Sequence, residues 1–424
     1  MVIALILLAL ALLGVPLFAV IGLGALLAWA GIGVDLQVIA IELFRLAEMP
    51  VLVAIPLFTF AGYLLSESGA PGRLVRLTDA LLGWMPGGLA FVALAACALF
   101  TAFTGATGVT IIALGALLYP ALREAGYPER FSLGLVTTSG SLGLLFAPSL
   151  PLILYGVVVQ QLQVGQPVSV DELFRAGLVP GLLMVVLLAG YGLWVTRGTV
   201  QRSRGFDRTL VLAAVRESVW EIPLPFVILG GIYGGYFAVS EAAAMTALWV
   251  LAVELLIRRE VPLARLPSVL RESMVLVGGI LVILGLSMAS TSYLIDAGVP
   301  QQLFETVQGL VSDRTTFLLL LTIFLLIVGT MLDVFSATVL IVPLVAPVAL
   351  AYGIHPAHLG ILFLANMQLG YMTPPVGLNL FIAAYRFEQP IHTVFRAALP
   401  FFLLLLAATL LITFWPALSL WLID

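Results

Sequence analysis

Long uncharged runs separated by short polar stretches constrain this chain more than any other feature of its sequence. Residues 178–196 and 398–421 contain no Asp, Glu, Lys or Arg, and between Arg314 and Glu388 the only carboxylate is Asp333. A helix needs roughly 20 mainly apolar residues to cross the hydrocarbon core of a bilayer, and runs of that order recur along all 424 residues. The chain is 62% hydrophobic and 9% charged, against roughly 45–50% and about 25% in soluble domains. A water-soluble globule is excluded. The expected fold is an all-α polytopic membrane protein with on the order of ten membrane segments.

The few charges exclude other functions. All 18 basic residues are Arg, and a formal net charge of −4 leaves no basic surface for nucleic acid, whose binding rests on neutralising phosphates. Cys97 is the single cysteine, so neither an internal disulfide nor a thiolate metal cluster can form. His355 and His358 flank Pro356 in an expected loop and His392 stands apart, a poor arrangement for a metal. The chain turns apolar at Val2 with no basic segment before it. Residues 2–32 are therefore expected as retained span, either one long helix or two short ones meeting at Gly14-Val-Pro16.

Sidedness follows from the arginines. Arg197, Arg202, Arg204, Arg208 and Arg216 form the densest cluster, which the positive-inside rule places in the cytoplasm. Residues 222–257 leave room for two short spans before the next cluster, Arg258, Arg259, Arg265 and Arg271, on the same side. Residues 178–196 then run inward, the polar stretch 160–176 lies outside, and residues 138–158 cross outward. Arg123 and Arg130 fall in an inner turn, and Arg73 and Arg76 in an amphipathic cytoplasmic stretch. Residues 87–122 thus become a re-entrant hairpin interrupted at Phe103-Thr-Gly-Ala-Thr-Gly108. Residues 272–292 cross outward, 314–352 form a second interrupted pair, and 359–385 and 398–421 complete the chain. Ser240 and Glu241 are expected in a turn, and Asp35, Glu42, Arg45 and Glu48 on an amphipathic stretch at the interface or against a partner. Trp84, Trp194, Trp220 and Trp421 lie near span ends, as interfacial aromatics do.

The same order of features occurs twice, displaced by about 227 to 230 positions. Tyr63-Leu-Leu with Gly69-Ala-Pro71 matches Tyr293-Leu-Ile with Gly298-Val-Pro300. Pro120, Gly126 and Pro128 match Pro347, Gly353 and Pro356, and Leu142-Gly143 with Pro148 match Leu369-Gly370 with Pro375. By the arginine argument the two copies have opposite orientation. Inverted repeats with discontinuous helices are an architecture of secondary transporters, whose sites lie near the midplane.

Four interruptions are site candidates, because unpaired backbone in hydrocarbon costs several kcal/mol unless it is buried in protein or lines a polar cavity. They are Thr104-Gly-Ala-Thr-Gly108, with Thr110 beyond it; Thr137-Thr-Ser-Gly-Ser141 leading to Pro148 and Pro151; Leu332-Asp-Val-Phe-Ser-Ala-Thr338; and the stretch from Asn366 and Gln368 through Gly370 and Thr373-Pro-Pro375 to Gly377 and Asn379. A carboxylate at the bilayer centre costs roughly 2.5–3.5 kcal/mol on insertion scales. Asp333 is therefore expected either to bind a hard cation or to cap the second half-helix of its hairpin, and the two roles are compatible. Oxygen-rich breaks without His or Cys suit Na⁺, and half-helix N-termini suit an anion. Together they point to cation-coupled uptake of an anionic solute.

At these residues the chain resembles the large membrane subunit of TRAP transporters, the tripartite ATP-independent periplasmic transporters of bacteria and archaea. The resemblance runs over nearly the whole length: Ile55-Pro-Leu-Phe-Thr-Phe-Ala-Gly62, Gly126-Tyr-Pro128, Pro148-Ser-Leu-Pro-Leu-Ile-Leu-Tyr-Gly156, Leu332-Asp333 and Tyr371-Met-Thr-Pro-Pro-Val-Gly-Leu-Asn-Leu-Phe381. It implies an elevator-type carrier in the inner membrane, with Na⁺ as the coupled ion and no organic cofactor. It also implies a small four-helix membrane subunit, and a periplasmic binding protein that delivers an organic acid. The implied organisation is scaffold and first arm helix in 1–86, a transport half in 87–158, scaffold and second arm helix in 159–313, a second transport half in 314–385, and a C-terminal arm and span in 386–424. Membrane lipid is the remaining partner.

The family's sodium and substrate sites sit at hairpin tips and broken helices. The resemblance carries the sodium role to Thr104, Gly105, Thr138, Ser139, Gly140, Asp333, Gly370 and Thr373, and the substrate role to Thr107, Ser141, Pro148, Ser336, Thr338, Pro375 and Asn379. The chain departs from the family's usual Ser-Gly-Ser first tip by reading Thr104-Gly105-Ala106, and reads Phe146-Ala147-Pro148 where two prolines are common. Two other readings remain open at this stage, a stand-alone Na⁺-coupled dicarboxylate symporter and an intramembrane enzyme. The second lacks a His-Glu-x-x-His pattern, paired intramembrane acids and a Ser–His pair.

Overall fold

The computed structural model describes residues 6–423 apart from 8, 12, 86, 163–166, 196, 198–204 and 312. Arg202 and Arg204, residues 163–166 of the expected outer stretch and residues 1–5 of the N-terminal run lie outside the described residues. The chain is 81% helical, with no strand among the described residues. Among the described residues seven helices are long and apolar enough to cross a membrane, or eight when the bent pair over residues 129–162 counts as one span. The sequence expectation of about ten counted segments that prove shorter, among them Leu17–Gly31 and Gly88–Thr104.

In chain order, α1 (Leu17–Gly31) and α2 (Gln37–Ala47) precede a first series. It comprises α3 (Ala54–Glu67), α4 (Ala70–Leu82), the pair α5 (Gly88–Thr104) and α6 (Thr107–Glu124), the broken helix α7 (Glu129–Ser139) and α8 (Leu150–Leu162), and α9 (Val170–Val195). Three helices follow, α10 (Arg208–Glu217), α11 (Pro223–Tyr233) and α12 (Val239–Ala252). The series then recurs as α13 (Leu266–Asp296), α14 (Val299–Leu310), the pair α15 (Arg314–Met331) and α16 (Val334–Ala351), the broken helix α17 (Pro356–Gly370) and α18 (Leu378–Arg386), and α19 (Ile391–Phe414). The repeat read from scattered identities is a repeat of elements. At matched positions after each pair the chain turns through a glycine in the left-handed region, Gly126 at φ 85° and Gly353 at φ 72°, which side chains with a Cβ resist. Proline then opens the next helix in both copies, as the N-cap Pro128 and the first-turn Pro356.

The first break lies further along its span than expected. Residues 129–139 form a half-helix of their own, so the span begins at Glu129 rather than near residue 138 and runs to Leu162. Residues 222–257 do not supply two crossings. α11 has 11 residues, roughly 16 Å of helix against a core of about 30 Å. Only Val239–Ile257, which continues α12 through a wide final turn, is long enough. Ser240 and Glu241, expected in a turn between spans, instead lie in the first turn of α12, where the Glu241 carboxylate caps the helix by accepting the Ala238 N–H at 2.9 Å. The expected amphipathic stretch forms α2, whose Glu42 is buried and accepts from Ser292 of α13 at 3.0 Å. A break at Gly14, at φ 83°, precedes α1. Trp84, Trp194 and Trp421 are exposed at helix ends, as interfacial residues would be.

Proline inside a helix cannot donate to the carbonyl four residues earlier. Pro343 in α16 therefore leaves the Val339 carbonyl without its helical partner, and the Ser287 hydroxyl of α13 donates to it at 2.8 Å. Both sites are buried. We predict that Ser287→Ala lowers the unfolding free energy in detergent by about 1 kcal/mol, because it strands a buried acceptor. In a Pro343→Ala background the residue-343 N–H reaches Val339 and the same substitution costs less, so the double-mutant cycle should show coupling. Equal losses in both backgrounds would count against this pairing.

Candidate functional site

The first tip is a two-residue gap. Gly105 ends α5 at φ 64° and Ala106 is extended before Thr107 opens α6. The α7/α8 break wraps this tip closely. Thr101 donates to the Gly140 carbonyl at 2.9 Å, and its oxygen lies 2.7 Å from the Thr110 hydroxyl, which therefore supplies the proton between them. Gly143 lies on the backbone of Ala98 and Ala102, where a Cβ would collide. Leu150, two residues beyond the buried Pro148, covers Gly105. Ser139 and Ser141 donate back to the carbonyls of Val136 and Thr138, at 3.3 and 3.2 Å. A hydroxyl that donates in this way keeps its lone pairs for a ligand. Thr104 and Thr138 are buried, and Thr138 Oγ1 has no partner.

The second tip is built differently. Leu332 and Asp333 are extended between α15 and α16. Asp333 Oδ1 accepts the N–H groups of Phe335 at 2.9 Å and Ser336 at 3.1 Å, and Oδ2 accepts the Ser336 hydroxyl at 2.5 Å. The capping role weighed from the sequence is thus present. Asp333 is exposed, unlike the buried hydroxyls of the first tip. The α17/α18 break holds this tip from the other side. The Val334 N–H donates to the Tyr371 hydroxyl at 2.5 Å, the Gly377 N–H donates to the Thr330 carbonyl at 3.2 Å, and Gly370 packs directly on Gly329. Thr338 donates to the Val334 carbonyl of its own helix, and Thr373, just past the end of α17, donates back to the Leu369 carbonyl. Pro375 is exposed.

Asn379 joins the two halves. Its Nδ2 donates to the Thr137 carbonyl at 3.3 Å, so the second broken helix ties to the first. Asn379 Oδ1, Asn366 Oδ1 and both polar atoms of the Gln368 amide are buried without a hydrogen-bond partner, as is Thr138 Oγ1. Buried polar atoms in native structures are nearly all satisfied, so these orphans on the two broken helices mark candidate ligand contacts. The structure gathers Thr104, Gly105, Thr107, Thr138, Ser139, Gly140 and Ser141 around the first tip, and Asp333, Ser336, Thr338, Gly370 and Thr373 around the second. Among the described residues no group of three His, Cys, Asp or Glu could hold a metal ion. Thr101 escaped the sequence reading, Tyr371 entered it only as the start of a family motif, and Asn366 and Gln368 only as the start of a break. The usable signal was a lone hydroxyl or amide within one turn of an interruption.

The sequence of the chain matches a known family over almost its full length. The family model described as the DctM component of tripartite ATP-independent periplasmic transporters matches residues 1–418. The chain belongs to this family. The C4-dicarboxylate TRAP transporter large permease of Rhodobacter capsulatus is 34% identical over 428 residues, covering 98% of this chain and 96% of that protein. The ectoine/5-hydroxyectoine TRAP large permease of Ruegeria pomeroyi is 31% identical over 374 residues, covering 88% and 86%. An isethionate TRAP permease, DctMQ, of Oleidesulfovibrio alaskensis is 32% identical over 407 residues, 95% of this chain; the chain spans 63% of that protein's length. Among solved structures, the YdaH transporter of Alcanivorax borkumensis aligns with a TM-score of 0.61 at 15% identity, covering 90% of this chain and 88% of that one. MtrF of Neisseria gonorrhoeae aligns at 0.56 and 14% identity, covering 90% and 82%. These two share the fold. The TRAP relatives are permeases, and the chain is a multi-pass TRAP large membrane subunit rather than an enzyme.

In this TRAP permease Thr101→Val should strand the buried Gly140 carbonyl and lower stability in detergent by about 1–2 kcal/mol. Thr101→Ser, which keeps the hydroxyl, should lose far less. Thermal unfolding of the two purified variants checks this.

Proposed function

We propose that this chain is the sodium-coupled membrane carrier of a tripartite importer for an organic acid, working in the inner membrane of a bacterium or archaeon. A periplasmic binding protein delivers the solute and a small four-helix subunit completes the membrane part. The observation that carries the reading is the set of orphaned polar atoms on the two broken helices, which no protein group satisfies and which a transported ion and solute would. The sodium positions are the oxygens around Thr104, Gly105, Thr138, Ser139 and Gly140, and those around Asp333, Gly370 and Thr373. The anionic solute lies against Thr107, Ser141, Pro148, Ser336, Thr338, Pro375 and Asn379, close to the half-helix N-termini at Thr107 and Val334 whose positive ends favour negative charge. Support for the organic-acid class comes from the C4-dicarboxylate relatives; others are named for isethionate and ectoine.

In the same proposal α5/α6 and α15/α16 are re-entrant hairpins that move with the broken helices as one transport body, 87–158 and 314–385. The remaining segments form the scaffold, in an elevator cycle. Asp333 then has two separable duties. Asp333→Asn keeps an N-cap acceptor and should leave stability nearly unchanged, whereas Asp333→Ala should cost about 1 kcal/mol. Both should cut sodium-driven uptake at least about tenfold, since each removes the charge that faces the cation. Full uptake with unchanged sodium dependence in Asp333→Asn would refute the cation role. Uptake by proteoliposomes holding this chain alone, without a binding protein, would replace the tripartite reading by the stand-alone symporter.

A further inference from the structure

Away from the tips, an apolar groove runs between α11 and α12. It has a volume of about 270 Å³, and its walls include Leu224, Val227, Ile228, Phe237, Met245 and Trp249. Two polar side-chain groups reach these walls and both are already satisfied. The Thr246 hydroxyl donates to the Ala242 carbonyl at 2.7 Å, and the Trp249 Nε1–H donates to the Trp220 carbonyl at 2.9 Å. A hydrophilic solute would give up hydrogen bonds to water here and gain none from these side chains. α11 leans mainly on α12, so Phe226 and Val227 on one side of the groove and Met245 and Leu248 on the other stay exposed.

One end of the groove is marked by aromatic rings and then by charge. Trp220 and Trp249 stand with ring centroids 5.8 Å apart, where α11 begins and α12 nears its end. Beyond them lie α10, with Arg208 and Arg216, and the segment after α12, with Arg258 and Arg259. The two segments meet there, since Arg258 donates to the Glu217 carbonyl. The acids of this end are engaged elsewhere. Arg73 of α4 holds Glu221 at 2.7 Å, lies 3.5 Å from Glu254 and bonds Glu260, while Arg76 pairs with Glu217 at 2.6 Å. Among the described residues Arg208, Arg216, Arg258 and Arg259 form no ion pair. Arg258 Nε is moreover buried with no hydrogen-bond partner. Arg208, Leu212 and Arg216 follow at four-residue spacing along the exposed side of α10, opposite the buried Ala214. Basic and apolar groups share a face in this way on helices that lie at headgroup depth.

We propose that the α11/α12 groove binds an acyl chain of an anionic membrane phospholipid, whose phosphate is held by Arg216 and Arg258. The order of groups along the site is the order of groups along such a lipid: an apolar wall, then the Trp pair at the boundary between hydrocarbon and headgroups, then guanidinium groups that suit a phosphate. From Ala242 to Trp249 the wall rises about 10 Å, room for a run of methylenes, whereas a helix with its side chains is about 10–12 Å across and would lie over the groove rather than enter it. The arginines without acidic partners favour a negative headgroup over a zwitterionic one. This site is independent of the transported solute and of sodium coupling.

The test titrates the purified full chain in detergent with phosphatidylglycerol or with phosphatidylcholine of the same acyl chains, and follows bound lipid by native mass spectrometry. Wild type should hold one phosphatidylglycerol at least about tenfold more tightly than phosphatidylcholine. Arg216→Gln combined with Arg258→Gln should bring that preference within about twofold. Met245→Trp, which puts bulk into the groove from an exposed position, should weaken phosphatidylglycerol by at least about tenfold. Fluorescence locates the lipid independently: acyl-brominated phosphatidylglycerol should quench wild type more than its phosphatidylcholine counterpart does, and Trp249→Phe should remove the difference. The wild-type headgroup comparison needs no variant and so stands even if a substitution impairs folding. Equal affinity of wild type for the two lipids, or a preference that survives in the double Arg variant, would overturn the proposal. So would displacement of the bound phosphatidylglycerol when the small membrane subunit is added, which would make the groove a protein contact.

Discussion

Backbone left unpaired inside hydrocarbon has no water to turn to, and this constraint organises the whole molecule. Four times the chain breaks a helix, and each time it must enclose the freed groups in protein. The first tip is closed by the α7/α8 break, through Thr101, Thr110 and the Gly140 carbonyl. The second is closed by the α17/α18 break, through Tyr371, Thr330 and Gly377. Close backbone contacts make this possible. Gly143 and Gly370 occur at matched positions of the two copies, and each lies where a side chain would strike the neighbouring helix. The four breaks are thus two interlocked pairs, joined by Asn379.

The two pairs differ in chemistry although they share a plan. Around the first tip the polar groups are hydroxyls and carbonyls, buried and uncharged. Around the second a carboxylate is present, exposed and already engaged by the N-terminus of its own helix. A duplicated scaffold that keeps the backbone geometry can diverge in the side chains that line it. The spread of solutes named for the TRAP relatives is compatible with such divergence.

What could be read from the sequence follows from the range of each interaction. Gly105 and the Asp333 cap are local features: a glycine between two apolar runs and an acid directly before a helix are visible without a fold. The repeat was visible because proline and glycine mark the same turns in both copies. The Thr101 contact was not visible, because its partners lie 9 and 39 residues away and the hydroxyl looks like any packing residue of an apolar helix. Arg73 was placed only in an amphipathic cytoplasmic stretch, for the same reason. Its partners Glu221 and Glu254 are separated from it by 148 and 181 residues. Length misled at α11, where apolar composition looked like a span but the helix is too short to make one.

The Pro343 contact has a consequence for motion. A carbonyl that its own helix cannot satisfy needs an outside donor at every position through which that helix passes. Along α13 the hydroxyl after Ser287 on the same face is Thr291, and both line the small cavity that Val339 and Pro343 share. One turn separates them, about 6 Å of rise. Sliding of α16 along α13 would therefore proceed by registered steps, each ending where a hydroxyl meets the stranded carbonyl, with unsatisfied positions between them acting as the barrier.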